Sequence, residues 1–324
     1  MKKKYDVIAL GELLADFTMN GKSTQGNNIF EACPGGAPCN VLAMLSKYGK
    51  RTSFTGKIGN DMFGTMLKDT LKSAGIDTSH LYTDEDVNTT LAFVTTLPGG
   101  DREFSFYRNP GADMMLTEDD IDEEYIKSGK IFHFGTLSMT HEGVRAATKK
   151  ALNIAKNNGM LVSFDPNLRP LLWDSLDNAR EQMAYGSGYC DILKIADNEI
   201  QFFTGIEDYD EAVKKLLEVY DIPLVLLTLG KDGSRAYYKG KRTDAEGFKV
   251  NSVEATGAGD TFMGSVLAYI LDHDIHSLTD EEVKEMLVRA NAAAAIVTTR
   301  KGALKSMPEP EEAERLIEES NAEV

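Results

Sequence analysis

The stretch Glu254-Ala255-Thr256-Gly257-Ala258-Gly259-Asp260-Thr261-Phe262 passes from a small-residue turn straight into Phe262–Ile270, an apolar run of helical length. Glycine and alanine let a backbone bend sharply and approach a ligand closely. The free N–H groups of a first helical turn, backed by the helix dipole, make an anion site. Asp260 sits among those groups, where its charge would repel an anion. One reading is a base held beside a phosphate, ready to take a proton from a hydroxyl that attacks it. The other is an ordinary helix start with an acidic residue in its first turn. The stretch by itself allows both.

Outside it, strands and helices alternate. Tyr5–Leu10 is a short apolar strand ended by Gly11-Glu12, with Asp16 soon after, where α/β folds place ligand contacts. Asn20–Asn28 is polar and irregular. Its Gly21-Lys22-Ser23 is not the end of a P-loop, because the matching first glycine position holds Asp16. Cys33-Pro34-Gly35-Gly36-Ala37-Pro38-Cys39-Asn40 is a second small-residue turn, here before the helical run Val41–Tyr48. It is either a tight loop or a place where Gly35 and Gly36 expose backbone to a polar ligand, with Asn40 adding an amide. Thr89–Leu97 and Glu103–Tyr107 flank Pro98-Gly99-Gly100-Asp101 and predict a hairpin, part of a small β-layer with 13–32. From Lys130 onward the strands Ile131–Phe134, Met160–Phe164, Ile192–Ile195 and Leu224–Leu229 alternate with helices. Ser234–Tyr238 and Phe248–Val250 are expected as short strands, and the capping box Thr279…Glu282 opens a long helix. The alternation predicts an α/β fold, a mainly parallel sheet between helical layers in three-layer α/β/α order, plus the small β-sheet. No repeat, linker or low-complexity segment divides the chain, so residues 1–324 are expected to form one domain.

Composition excludes several functions. The 324 residues carry 35 basic and 51 acidic side chains, a net charge of −16. That argues against nucleic acid and against an anionic membrane surface as partners. A phosphate ligand is still allowed, since local N–H groups and a few cations can outweigh the global field. Acidic clusters at 117–124, 207–211 and 309–319 read as solvated helix faces. Three cysteines, Cys33, Cys39 and Cys190, have no CxxC spacing, which fits a reducing compartment. The basic start Met1-Lys2-Lys3-Lys4 leads into a strand and not a signal peptide, and no apolar run is of membrane-spanning length; a cytoplasmic protein is expected. His133 in an apolar strand reads as a core residue. His273 and His276 lack a third ligand for a metal.

With these motifs on the page, the chain resembles the PfkB (ribokinase-like) carbohydrate kinases, and among them the bacterial fructokinases. Two signatures carry the resemblance: Gly35-Gly36-Ala37-Pro38-Cys39-Asn40 with Gly59-Asn60-Asp61-Met62-Phe63-Gly64, and Ala255-Thr256-Gly257-Ala258-Gly259-Asp260-Thr261-Phe262. Phe106-Tyr107-Arg108, Asp165-Pro166-Asn167-Leu168-Arg169, and Asn291 with Thr299-Arg300-Lys301-Gly302-Ala303 add to it. It spans Gly11 to about Met307.

The resemblance implies an ATP-dependent kinase acting on a sugar hydroxyl, with fructose to fructose 6-phosphate as the leading reaction. It implies Asp260 as base and Gly257, Ala258 and Gly259 as the anion hole. Asp16, Gly35, Gly36 and Asn40 would bind sugar hydroxyls, with Arg108 and Arg169 reaching sugar or phosphates. Lys194, Thr228, Gly230, Gly233 and Asn291 would line the ATP site, and Glu199 would be linked to Mg²⁺. The hairpin would belong to a β-lid, with strands from about 13–32 and 89–110, that covers the sugar and mediates a homodimer. Two alternatives stand beside this: a 2-keto-3-deoxygluconate kinase with both arginines on its substrate carboxylate, and a non-catalytic sugar-binding regulator on the same fold. The chain departs from the family at three places. Ala196 replaces the asparagine of the magnesium-linked Asn-x-x-Glu, and Cys39 replaces an alanine. Glu254 replaces the aspartate of a region that helps bind K⁺ in many relatives.

Overall fold

The computed structural model describes residues 3–96 and 102–322. Its largest element is a nine-stranded sheet. In chain order the strands are β1 (Tyr5–Leu10), β4 (Thr52–Gly59), β5 (Asp77–Asp84), β8 (Gly129–Gly135), β9 (Leu161–Asp165), β10 (Ile192–Ala196), β11 (Leu224–Thr228), β12 (Ser234–Tyr238) and β13 (Lys241–Ala245). Across the sheet they lie in the order β13-β12-β11-β10-β9-β8-β1-β4-β5. All neighbours are parallel except β11–β12 and β12–β13.

Strand β1 explains why both faces are covered. All six of its residues are buried. Val7 and Ala9 point into one apolar core with Leu42, Phe54, Val266 and Met286. Ile8 and Leu10 point into the other with Phe132, Leu152, Phe164 and Val213. Strand geometry sends successive side chains to opposite faces, so a continuous apolar run needs a helical layer on each side. The helices are α1 (Ala37–Lys47), α2 (Met62–Ser73), α3 (Glu123–Lys127), α4 (Glu142–Asn157), α5 (Leu176–Ser187), α6 (Asp197–Thr204), α7 (Tyr209–Val219), α8 (Ala258–Asp272), α9 (Asp280–Thr298) and α10 (Pro310–Ala322). From β1 the order runs to β4 and β5 on one side and to β8, β9, β10 and β11 on the other. The carboxyl ends beside that reversal form the crevice where open α/β sheets bind ligands.

The smaller sheet is built from β2 (Leu14–Lys22), β3 (Asn28–Gly35), β6 (Leu91–Thr96) and β7 (Arg102–Tyr107), in the order β3-β2-β6-β7. Strand β2 leaves the crevice end of β1, and β3 returns to it at α1. One face carries an aromatic cluster: Phe17 stacks on Phe93 at 4.8 Å, and Phe30, Phe63 and Tyr107 pack edge-on around that pair.

The structure departs from the sequence reading at three places. The segment expected to be irregular at Asn20–Asn28 is strand at both ends, where β2 runs to Lys22 and β3 starts at Asn28, and only 23–27 form the turn. The partner of β12 is Lys241–Ala245 and not Phe248–Val250, because left-handed Lys239 and Gly240 (φ 48° and 74°) turn the chain within two residues. Strand β5 went unread, since Asp77–Asp84 is a polar edge strand with almost no buried side chains. The predicted turn Pro98–Asp101 lies outside the described residues, although β6 and β7 on either side pair antiparallel. At Thr279 the capping box forms as read: its hydroxyl accepts from Glu282 N at 3.2 Å, and Glu282 Oε2 accepts from Thr279 N at 2.8 Å.

Candidate active site

Helix α8 begins where the quoted stretch predicts. Gly257 is its N-cap in the left-handed region (φ 80°), and a Cβ there would stand 2.7 Å from that of Ala303. Only glycine makes this turn at this distance. The N–H groups of Gly259 and Asp260 open the helix, with no carbonyl four residues back inside it to accept them.

Asp260 is 8% exposed, and the Asn40 amide donates to its Oδ2 at 2.8 Å. Burial and the nearby Asp165 charge push its carboxyl up to about 6, against the pull of Asn40, Lys194 and Arg169. The geometry therefore gives a carboxylate that is ionised at neutral pH yet basic enough to accept a proton. Asn40 lies one turn into α1, and its Oδ1 is buried without a partner among the described residues. That orphan acceptor faces the same cleft and suits a ligand hydroxyl.

Residues from separate elements line a cleft of about 340 Å³ around Asp260. Asp16 from β2 borders it; burial, opposed by Arg169 and reinforced by Glu254 and Asp260, raises its carboxyl to about 7. A Cβ on Gly35 would stand 2.3 Å from Asp16 Oδ2, and one on Gly36 2.4 Å from the Glu12 carbonyl oxygen. Lys194 in the middle of β10 places Nζ 3.1 Å from both oxygens of Asp165. Burial opposes the charge on Lys194, but Asp165, Glu199 and Asp260 outweigh it and hold the ammonium protonated. Arg169 is exposed at the rim.

A groove of about 830 Å³ adjoins the cleft, lined by Gly230, Gly233, Gly247, Phe248, Ala258 and Asn291 among others. Ala255 borders both spaces, so the anion-site turn stands between them. Asn291 is fully engaged: Oδ1 accepts from Ser234 at 2.9 Å, and Nδ2 donates to the carbonyls of Ala245 and Glu246 at 3.0 and 3.1 Å. It shapes the groove wall. Of the five residues expected on the nucleotide side, Gly230, Gly233 and Asn291 line the groove. Lys194 lies in the cleft, and Thr228 ends β11 opposite Ala196 and Ser234, on neither lining.

One expectation needs correction. Arg108 does not line the cleft. Its Nε donates to Asp113 at 2.8 Å, Nη1 to Thr140 at 2.9 Å and Nη2 to the Leu137 carbonyl at 3.1 Å. A guanidinium needs such partners once buried, and the Arg108 and Asp113 side chains are each 2% exposed. Glu199 does line the cleft, where its Oε1 accepts from Leu168 N at 2.7 Å and its Oε2 from Ala196 N at 2.8 Å. It fastens the loop that presents Arg169. Among the described residues no group of three or more His, Cys, Asp or Glu is placed to hold a metal. A divalent ion here would be carried by substrate phosphates with at most one or two of the cleft carboxylates.

Sequence reasoning passed over two residues of the site, Glu12 on the cleft lining and Asp165 as the partner of Lys194. Glu12 was read only as the end of a strand, and Asp165 only as one of a polar cluster. A charged residue at or just past the carboxyl end of a buried parallel strand was the available signal for both. His133 keeps its core reading: it is buried beside Ser163 Oγ at 2.9 Å, and burial drops its ring to about 3.

The sequence pattern of the pfkB family carbohydrate kinases matches residues 4–310. The chain belongs to that family. It is 42% identical over 304 residues to the probable fructokinase-2 of Arabidopsis thaliana, covering 93% of this chain and 92% of that one. The fold superposes on the fructokinase of Xylella fastidiosa with bound ATP at a TM-score of 0.89, with 29% identity and 99% and 100% of the two chains covered. It also matches a fructokinase double mutant of Vibrio cholerae O395 bound to fructose, ADP and potassium ion, at 0.88, 29% identity and 98% and 99% coverage. The chain is thus a carbohydrate kinase with the ribokinase-like α/β fold. Among the described residues no helix is long and apolar enough to cross a membrane.

Proposed function

We propose that this kinase transfers the γ-phosphoryl group of ATP to fructose, giving fructose 6-phosphate and ADP. The observation that carries the reading is Asp260, buried, oriented by Asn40 and set at the helix start between a sugar-sized cleft and a larger groove. Asp260 takes the proton of the attacking hydroxyl as its oxygen bonds to the γ-phosphorus. The bond from that phosphorus to the β–γ bridging oxygen breaks, and ADP leaves. The N–H groups at Gly257–Gly259 stabilise charge on the transferring group without needing to reorganise. Asp16, Gly35, Gly36 and Asn40 contact sugar hydroxyls, while Arg169 offsets charge at the rim. Mg²⁺ arrives with the nucleotide and screens its phosphates. A K⁺ site near Glu254 is expected by analogy with the Vibrio cholerae structure.

The small sheet acts as a lid within one catalytic unit, excluding water that would otherwise waste ATP. Its aromatic cluster, with Tyr107 66% exposed, is the surface through which two copies pair. The burial of Arg108 favours a neutral sugar over 2-keto-3-deoxygluconate, because only Arg169 is left to meet a carboxylate. The test is ADP release with ATP and Mg²⁺ across fructose, ribose, 2-keto-3-deoxygluconate, adenosine and fructose 6-phosphate, repeated in K⁺ and Na⁺. Fructose should give by far the highest kcat/KM. A preference for the keto-acid would overturn the substrate, and no turnover on any acceptor would overturn the kinase reading.

A further inference from the structure

The segment from Gly11 to Leu13 joins β1 of the large sheet to β2 of the lid, and Gly35-Gly36 joins β3 of the lid back to α1. Helix α1 has an unusual start. Its N-cap is Gly36, at φ 128°, which has no side chain to satisfy the first helical N–H groups. No larger residue fits there, because the Glu12 carbonyl oxygen would stand 2.4 Å from its Cβ. The missing cap comes from elsewhere in the chain: Glu12 Oε1 accepts the Ala37 N–H at 2.8 Å. One turn on, α1 presents Asn40, whose amide holds Asp260 Oδ2 at 2.8 Å. An unbroken line of contacts thus runs from the lid hinge to the base: Glu12, the α1 N-terminus, Asn40, Asp260.

We infer that Glu12 is a positioning residue for phosphoryl transfer, capping α1 from the lid hinge and so aiming Asn40 at Asp260. The inference rests on the kinase reading above. Glu12 is 4% exposed. A buried carboxyl of this kind is retained at a cost unless it holds something in place. Burial carries Glu12 up to about 7; its own N–H and that of Ala37 resist the rise, Asp113 adds to it, and Arg108 opposes it. The charged and titratable groups that face it are Arg108 and Asp113 at the exit from the lid, and Cys39 on α1, whose thiol is itself pushed up by burial. Ionised Glu12 is the stronger acceptor for a helix N-terminus, so its hold on α1 tightens as pH rises through neutrality.

The experiment is a double-mutant cycle on the full chain with fructose, ATP and Mg²⁺: wild type, Glu12→Ala, Asn40→Ala and the pair, with Glu12→Gln as the conservative variant. Wild type is measured first; if it does not turn over, the kinase reading has failed, not this inference. Glu12→Ala should lower kcat by tenfold or more with the KM for ATP within twofold. The double variant should fall no lower than the worse single, because both act through one line of contacts. Glu12→Gln keeps a carbonyl for the Ala37 N–H, so it should recover most of kcat at pH 8 and move the acid limb of kcat/KM to lower pH. Two results would overturn the inference: losses that multiply in the double variant, which would make Glu12 an independent substrate contact, or a Glu12→Ala kcat within twofold of wild type. If Glu12→Ala does not fold, the acid limb of Glu12→Gln decides alone, and an unmoved limb rejects the role.

Discussion

The cleft around Asp260 and the groove beside it share the Ala255–Gly259 turn but are built by opposite means. The cleft concentrates ionisable groups from distant parts of the chain: Glu12, Asp16, Lys194 and Asp260, three of them under 9% exposed, with buried Asp165 held against Lys194. The groove is lined by glycines and alanines together with exposed charged side chains, Lys231, Asp232, Glu246 and Lys249, and its one buried amide, Asn291, is wholly spent on the protein. Desolvated charges make the cleft reactive and sensitive to pH. The groove keeps its charged side chains in solvent, where they are screened.

The largest effect that tests this contrast is on the base. Asp260→Asn should lower kcat by about 10²–10⁴-fold while ATP still binds, as read by steady-state turnover and by ATP titration. Comparable loss from a groove variant would erase the distinction. In the wild type, activity should fall as pH drops through about 6, where Asp260 takes up its proton; a flat kcat/KM across that window would remove it as base.

The next effect is on stability. Arg108→Met breaks a buried ion pair and strands Asp113, at a cost of about 3–5 kcal/mol, measured by denaturant unfolding. If the variant instead kept full stability and lost only sugar affinity, Arg108 would have to be moved back into the cleft.

A smaller change is expected from the groove. Asn291→Ala leaves Ser234 and two carbonyls unpartnered, worth about 1–3 kcal/mol. It should raise the KM for ATP and leave that for fructose alone. A shift in the fructose value of equal size would show that the two spaces are not separate.

The smallest is electrostatic. Burial raises the carboxyl of Asp16 to about 7, above its unfolded range, so the native state binds the extra proton. That contribution is complete at acid pH and disappears as pH rises through about 7. Asp16→Asn should therefore raise the unfolding midpoint by about 2 °C at pH 8 and by less at pH 5, while weakening fructose binding. A larger gain at pH 5 would reverse the sign and the assignment.

Much of this was legible in the chain. The strands β1, β9, β10 and β11 are mainly apolar runs, and α8 follows directly from its glycine turn. Strand β5 was not legible, because its pairing with β4 depends on backbone at the sheet edge and not on side-chain pattern. The role expected of Arg108 failed for a related reason. A sequence lists the donors of an arginine but not Asp113, Thr140 and Leu137 closing around them.

The sequence by itself determined the alternating α/β layers, the two glycine turns and the presence of a carboxylate at the start of α8, because these depend on local pattern and on φ angles that few residues adopt. Tertiary structure alone decided which charges meet. Asn40 and Asp260 are 220 positions apart yet share a hydrogen bond, and Glu12 caps a helix that begins 25 positions later. Such contacts depend on how β1, α1 and α8 pack at one end of the sheet, and burial there raises the carboxyls of Glu12, Asp16 and Asp260 above their ordinary range.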